Sequence, residues 1–282
     1  MTEDERRMAA KAQLSSSVVR PSSLVDTHCH LDWPAFDADR AEVIQRAIEA
    51  SVTRMVTIGV DVASSRRAIE LAEQYPAVYA AVGVHPNNAA AFNNDTLSAI
   101  RELAQHPKVV ALGEIGLDNY WKKVAPAVQA RAFVTQLELA AEIGKPVIIH
   151  SRETTADILA LLEQHVARHP SRVMPGILHS FAGSIAAAQR AFELGFLIGF
   201  SGPVTFKKSQ ALRELARSAP LDRFVLETDA PFLTPEPRRG RRNEPANVRT
   251  IAEYLAHERP ISVEEIARRT TANAARLFGW MN

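Results

Sequence analysis

The sequence predicts a (β/α)8 barrel, on three observations. Eight short β-rich runs follow one another from residue 25 onward, stretches with helical spacing separate them, and ionisable side chains gather where the runs end. The runs span 25–30, 55–60, 78–85, 109–115, 146–150, 175–179, 196–201 and 224–229. Between them, 39–50, 64–74, 129–143 and 155–167 are dominated by alanine, leucine and charged residues, as helices require. Gly144 and Gly195 stand where a helix would end just ahead of the next strand. The stretch 262–278 reads as a terminal helix packed outside the barrel. An open doubly wound sheet is the other architecture that such alternation allows, and the count of strands favours closure.

A chain of 282 residues, 46% apolar and 23% charged, suits one large domain. The length also lies near the ~250 residues usual for this barrel. Residues 24–282 are therefore expected to form a single barrel domain, with 1–23 a flexible N-terminal tail. The net charge of +1 creates no global field for nucleic acid, so any polyanion must be gripped locally. The single cysteine, Cys29, excludes a disulfide framework. No apolar run approaches the ~20 residues of a membrane span. A cytoplasmic monomer with no membrane contact and no obligate protein partner is the expectation.

The nine histidines are unevenly placed. His28, His30, His85, His150 and His179 close predicted strands, whereas His106, His165, His169 and His257 lie on helices or their flanks and read as solvated surface. C-terminal strand ends ring the mouth of a barrel, where active sites form. In Asp26-Thr27-His28-Cys29-His30 the two imidazoles are two residues apart on a strand and share a face, so both can reach one metal ion. Cys29 then points outward to the helices. Glu114 closes the fourth run and Asp229 the eighth. Ionisable groups ending apolar strands are costly unless paired or ligating a cation. His28, His30, Glu114, His150, His179 and Asp229 are on this ground the candidate metal ligands.

Other motifs accompany them: Gly83-Val84-His85-Pro86, Gly113-Glu114-Ile115-Gly116-Leu117-Asp118, His150-Ser151-Arg152, His179-Ser180-Phe181-Ala182-Gly183, Thr205-Phe206-Lys207, Glu227-Thr228-Asp229-Ala230-Pro231 and Asn243-Glu244-Pro245. With this ordered set the sequence resembles the TatD family of metal-dependent deoxyribonucleases, within the amidohydrolase-like barrels, over about residues 25 to 278. The resemblance implies two divalent metal ions per subunit. His28, His30 and Asp229 would hold one, His150 and His179 the other, and Glu114 would bridge them where many related barrels use a carboxylated lysine. It implies Mg2+-supported activity, while four imidazoles suit Zn2+, Mn2+ or Ni2+ better by ligand softness.

Two such ions can activate a water and clamp the oxygens of a phosphodiester. Glu114 and Asp229 are the expected catalytic carboxylates, Asp229 either ligating or taking the proton of the water. His85 is expected to face substrate or support a ligand, and Glu227, one layer below Asp229, to orient one. Asp118 is left between a loop cap and a catalytic duty. Arg152 and the rim cations Lys207, Arg239 and Arg241, the last two within the basic run 238–242, are the candidate phosphate grips. DNA, as a single strand or a 3′ end, is the expected substrate. A small-molecule amide, ester or phosphate-ester hydrolase is the alternative, and a metal-stabilised binding protein a third class.

Overall fold

The computed structural model describes residues 23–170 and 175–280. Eight parallel strands are hydrogen-bonded in sequence order. They are β1 (Leu24–Cys29), β2 (Val52–Ile58), β3 (Val78–Val82), β4 (Val109–Asp118), β5 (Val147–Arg152), β6 (Gly176–Leu178), β7 (Leu197–Phe200) and β8 (Phe224–Leu226). The sheet curls until the segment after β8 meets β1. Cys29 and Ala230 bridge in parallel, the His30 N–H donates to the Ala230 carbonyl at 2.7 Å, and the Asp229 N–H donates to the His28 carbonyl at 2.8 Å. Below this seam the Thr228 N–H and hydroxyl donate to the buried Asp26 carboxylate at 2.9 and 2.5 Å. The closed alternative is therefore the one adopted.

The helices are α1 (Arg40–Glu49), α2 (Val62–Gln74), α3 (Asn94–Leu103), α4 (Pro126–Ile143), α5 (Thr155–Arg168), α6 (Ile185–Glu193), α7 (Gln210–Ser218), α8 (Val248–Glu258) and α9 (Val263–Phe278). Their starts are chemically marked. Asp61 and Ser64 form a reciprocal cap on α2, and Asn93, Ser184 and Ser262 cap α3, α6 and α9. Pro126 opens α4 three residues before the expected 129, because a proline lacks only an N–H that the first helical position does not use. Gly144 ends α4 at φ 77°, a left-handed conformation that glycine adopts without a Cβ clash. The expected tail, 1–23, lies outside the described residues except for Ser23, whose carbonyl accepts from the Thr271 hydroxyl at 2.7 Å.

Two apolar layers enclose the strands. One cluster takes Val25, Val56, Ala81, Ala111, Ile148, Ile177, Leu197 and Val225 from the eight strands, together with Leu277 and Phe278 of α9. Ile148 and Ile177 stand two residues before His150 and His179, so this cluster fills the barrel beneath the ionisable groups. The larger cluster joins the outer strand faces to the helices and includes fully buried Cys29, as expected for an outward thiol.

Strict alternation cannot produce this arrangement in β1 and β4. Val25 and His28, and likewise Ala111 and Glu114, are an odd number of residues apart yet face the same interior. A register shift between Asp26 and Cys29 and another between Leu112 and Ile115 absorb the extra residue and re-aim the side chains that follow. β4 then continues to Asp118, three residues beyond the expected end, and every residue of it is buried. Conversely β3 stops at Val82, so His85 does not end a strand. It caps the short helical turn Pro86–Ala91, because the proline pushes the preceding residue into extended backbone.

Gly116, paired with His150 across β4 and β5, has φ 147°, and a Cβ there would overlap the His150 carbonyl oxygen. Gly116→Ala should cost at least about 2 kcal/mol of stability. An unchanged urea midpoint would show that the strand relaxes freely at this point.

Candidate metal centre

The seam between β8 and β1 brings His28, His30 and Asp229 together. His28 Nε2 is 3.3 Å from His30 Nε2 and 3.5 Å from Asp229 Oδ1, and His30 Nε2 is 3.4 Å from the same oxygen. A tetrahedral ion with bonds of roughly 2.0–2.2 Å keeps its ligand atoms roughly 3.3–3.6 Å apart. The three atoms thus fit one cation. His30 Nδ1 lies 3.3 Å from the Ile58 carbonyl, which fixes the proton on that side and leaves Nε2 as the donor pair.

Glu114 separates this set from a second. Its Oε2 is 3.5 Å from His28 Nε2 and 3.9 Å from His30 Nε2, while its Oε1 is 2.6 Å from His150 Nδ1 and 3.5 Å from His179 Nε2. Burial alone would raise the Glu114 pKa, but the surrounding imidazoles of His179, His28, His150 and His85 hold it well below the usual range. Carboxylates act on the rings in return. Burial favours neutral His179, yet Glu227 and Glu114 raise it to about 10; His30 and His150 are raised in the same sense. The donor set calls for positive charge, which protons or divalent ions can supply.

Each ring of the second set is oriented from behind. His179 Nδ1 is 3.2 Å from Glu227 Oε1, the orienting position expected for that carboxylate. His150 Nε2 is 3.0 Å from Asp118 Oδ2. The other oxygen of Asp118 accepts the backbone N–H groups of Tyr120 and Trp121, both at 2.9 Å. Against the cost of burial, His150 and these N–H groups hold Asp118 at about 2. Asp118 is thus a loop cap and a ligand support at once, a duality that its position in the sequence did not reveal.

His85 stands at the edge of the centre. Its Nδ1 accepts the Asn87 N–H at 3.0 Å, so the neutral ring carries its proton on Nε2, 3.8 Å from Glu114 Oε1. Burial pushes its pKa down to about 3 and keeps the ring neutral. It therefore offers a hydrogen-bond donor to the site.

A cavity of about 670 Å³ opens over these groups. Its walls include His30, His85, Glu114, His150, Arg152, His179 and Asp229, but not Lys207, Arg239 or Arg241. Those three cations are exposed, and Arg239 lies over the Phe206 ring at 4.2 Å. Arg242, from the same run, is held by the Asp39 carboxylate at 2.7 Å through both terminal nitrogens. Four aromatic side chains at the mouth went unnoticed in the sequence: Trp33, Tyr120, Trp121 and Phe232. The signal was their position, each within four residues of a strand-end ionisable group. Away from the cavity, His165 is buried beside Glu138 and His169, a correction to its expected solvated place: α5 packs on α4, where Glu138 sits.

A family model described as TatD related DNase matches residues 25–279. The chain belongs to this family. A Bacillus subtilis relative, the uncharacterized metal-dependent hydrolase YabD, is 43% identical over 255 residues, covering 90% of this chain and 98% of its own. The 3′-5′ ssDNA/RNA exonuclease TatD of Citrobacter koseri is 37% identical over 262 residues, covering 91% and 99%. A crystal structure of the Escherichia coli TatD homologue YJJV superposes with a TM-score of 0.85 at 32% identity, covering 92% of this chain and 98% of that one.

For this TatD-family chain the double duty of Asp118 yields a graded prediction. Asp118→Ala strands two backbone N–H groups and the His150 ring, and should destabilise the protein by about 3 kcal/mol. Asp118→Asn keeps an oxygen for the N–H groups and should lose clearly less. Equal urea midpoints for the two variants would remove the loop-capping role.

Proposed function

We propose that this protein is a divalent-metal-dependent deoxyribonuclease that removes nucleotides from the 3′ ends of single-stranded DNA. The observation that carries the proposal is the division of Glu114, one oxygen toward His28 and His30 and the other toward His150 and His179. His28, His30 and Asp229 would hold one ion and His150 and His179 the second, with Glu114 between them; Mg2+, Mn2+ and Zn2+ are the candidates. When bound, such ions lower the pKa of a water and neutralise charge on phosphodiester oxygens.

The remaining steps belong to the chain's own residues. Asp229 has 13% of its side chain exposed against 4% for Glu114, so Asp229 is the carboxylate that can meet water and take its proton. His85 donates Nε2–H toward a non-bridging phosphate oxygen, and Arg152 offers its guanidinium to a neighbouring phosphate. Lys207, Arg239 and Arg241 extend the track outside the cavity. As part of the same reading the protein acts as a cytoplasmic monomer. No described helix is long and apolar enough to cross a membrane.

Chelation should abolish hydrolysis, and readdition of each metal in turn should identify the one used. Glu114→Gln should lower the content of both metals and reduce kcat/KM by more than about 100-fold. Full turnover with two tightly bound ions would exclude the bridge. A panel of amides, esters and small phosphate esters tests the alternative substrate class, because preferential turnover of any of them over DNA would replace the nuclease reading.

Neutralising Lys207, Arg239 and Arg241 together should raise KM for oligonucleotides. It should also flatten the dependence of log KM on log salt concentration, by roughly 0.7 in slope for each phosphate that is no longer neutralised. An unaltered slope would return these cations to solvated surface. Arg242 is left out of that set because its partner is Asp39.

A further inference from the structure

Four of the large apolar side chains that stand exposed among the described residues are aromatic and gather at the barrel mouth. Trp33, Tyr120, Trp121 and Phe232 are 39%, 48%, 54% and 41% exposed. Exposed apolar groups in one place, edged by cations, mark an interaction surface. They form two pairs. Trp33 follows β1 and Phe232 follows β8, and their rings meet edge to face at 5.3 Å, both about the ring of His30 at 6.2 and 6.0 Å. Tyr120 and Trp121 follow β4, also edge to face, at 5.1 Å. Arg152 at the end of β5 lies 3.9 Å over Tyr120 and 5.6 Å from the Trp121 ring, and Lys123 adds a second cation 5.8 Å from Trp121.

In a ring of eight strands the β8–β1 seam lies opposite the β4–β5 seam. The two pairs therefore form opposing walls, and Trp33, Phe232, Trp121, Lys123 and Arg152 line the same cavity that holds Glu114 between them. Both walls are anchored by buried polar hubs. Asp118 pins the N–H groups of Tyr120 and Trp121, and the buried Asn243 donates to the Phe232 carbonyl at 2.6 Å. The backbone that carries these rings is thus already ordered before a ligand binds.

We propose that these walls are a nucleobase clamp. The unpaired base on one side of the scissile phosphate stacks against Trp33 and Phe232, and the base on the other side stacks against Trp121. Arg152 and Lys123 take the flanking phosphates. The inference rests on the nuclease reading and adds its specificity: the ligand is a strand whose bases are free to leave their stack. A π-face is common to all four bases, so the clamp tolerates sequence. It rejects the interior of a duplex, where paired bases offer no face.

The test compares end-labelled oligothymidylate with a strand of equal length in which every base is replaced by a tetrahydrofuran abasic unit. Phosphorothioate linkages resist hydrolysis, so fluorescence anisotropy reads binding to the metal-loaded protein separately from cleavage. The wild type should bind the base-bearing strand roughly 10- to 100-fold more tightly than the abasic one. Trp33→Leu, Trp121→Leu and Phe232→Leu together keep the side chains apolar and remove the ring faces; the triple variant should shrink that ratio to near one by weakening the base-bearing strand alone. No preference in the wild type, or a preference that survives in the triple variant, overturns the clamp. Phosphodiester versions of both strands give the second readout. A base-dependent binding ratio without cleavage of either would retain the clamp and reject the nuclease reading.

Discussion

A carboxylate buried at 3% exposure near the barrel axis must be compensated on every side, and Glu114 is such a group. Desolvating a charge costs several kcal/mol, and opposite charge or hydrogen-bond donors close by offset that. The imidazoles around Glu114 come from β1, β5, the turn after β6 and the loop after β3. The requirement to neutralise one carboxylate thus reaches around most of the barrel. It accounts for the register shift in β4 that turns Glu114 inward, and for the shift in β1 that admits both His28 and His30.

The compensation works only if the rings present the correct atoms. An imidazole has two nitrogens, and a buried one with the wrong tautomer would aim an N–H at another donor. The Ile58 carbonyl and Asp118 lie within hydrogen-bond distance behind His30 and His150, and Glu227 faces His179 Nδ1 as its charge partner at 3.2 Å, so each ring turns its other nitrogen to the centre. His85 is the exception that clarifies the rule. Its outer nitrogen accepts a backbone N–H, and it therefore faces the site as a donor. The rings resemble one another in sequence, yet the group behind each one sets what it can do.

Much of this was legible in the residues. The eight strands, the main helices and the convergence of His28, His30, Glu114, His150, His179 and Asp229 follow from periodicity and from the cost of ionisable groups on apolar strands. The register shifts were not legible, because alternation carries no mark of where a strand gains a residue. Asp118 was ambiguous because a loop cap and a ring support use the same carboxylate, and only its geometry shows that both oxygens are engaged. The four mouth aromatics looked like ordinary hydrophobics, since their exposure depends on which loops face outward. Likewise the run 238–242 reads as uniform positive charge, whereas the fold assigns Arg242 to Asp39 and leaves Arg239 and Arg241 exposed.

The seam between β8 and β1 also sets when the molecule becomes complete. Thr228 and Asp26 are 202 residues apart in sequence, and the neighbouring His28 and Asp229 share the same junction. Contacts of such long range form slowly and only after the intervening chain has been synthesised. A nascent chain carries the Glu114, His150 and His179 half of the centre early, but it gains Asp229 beside His28 and His30 only when the last strand docks on the first. Barrel closure and the meeting of Asp229 with His28 and His30 are then the same event, so these three side chains come together only once the first and last strands have joined.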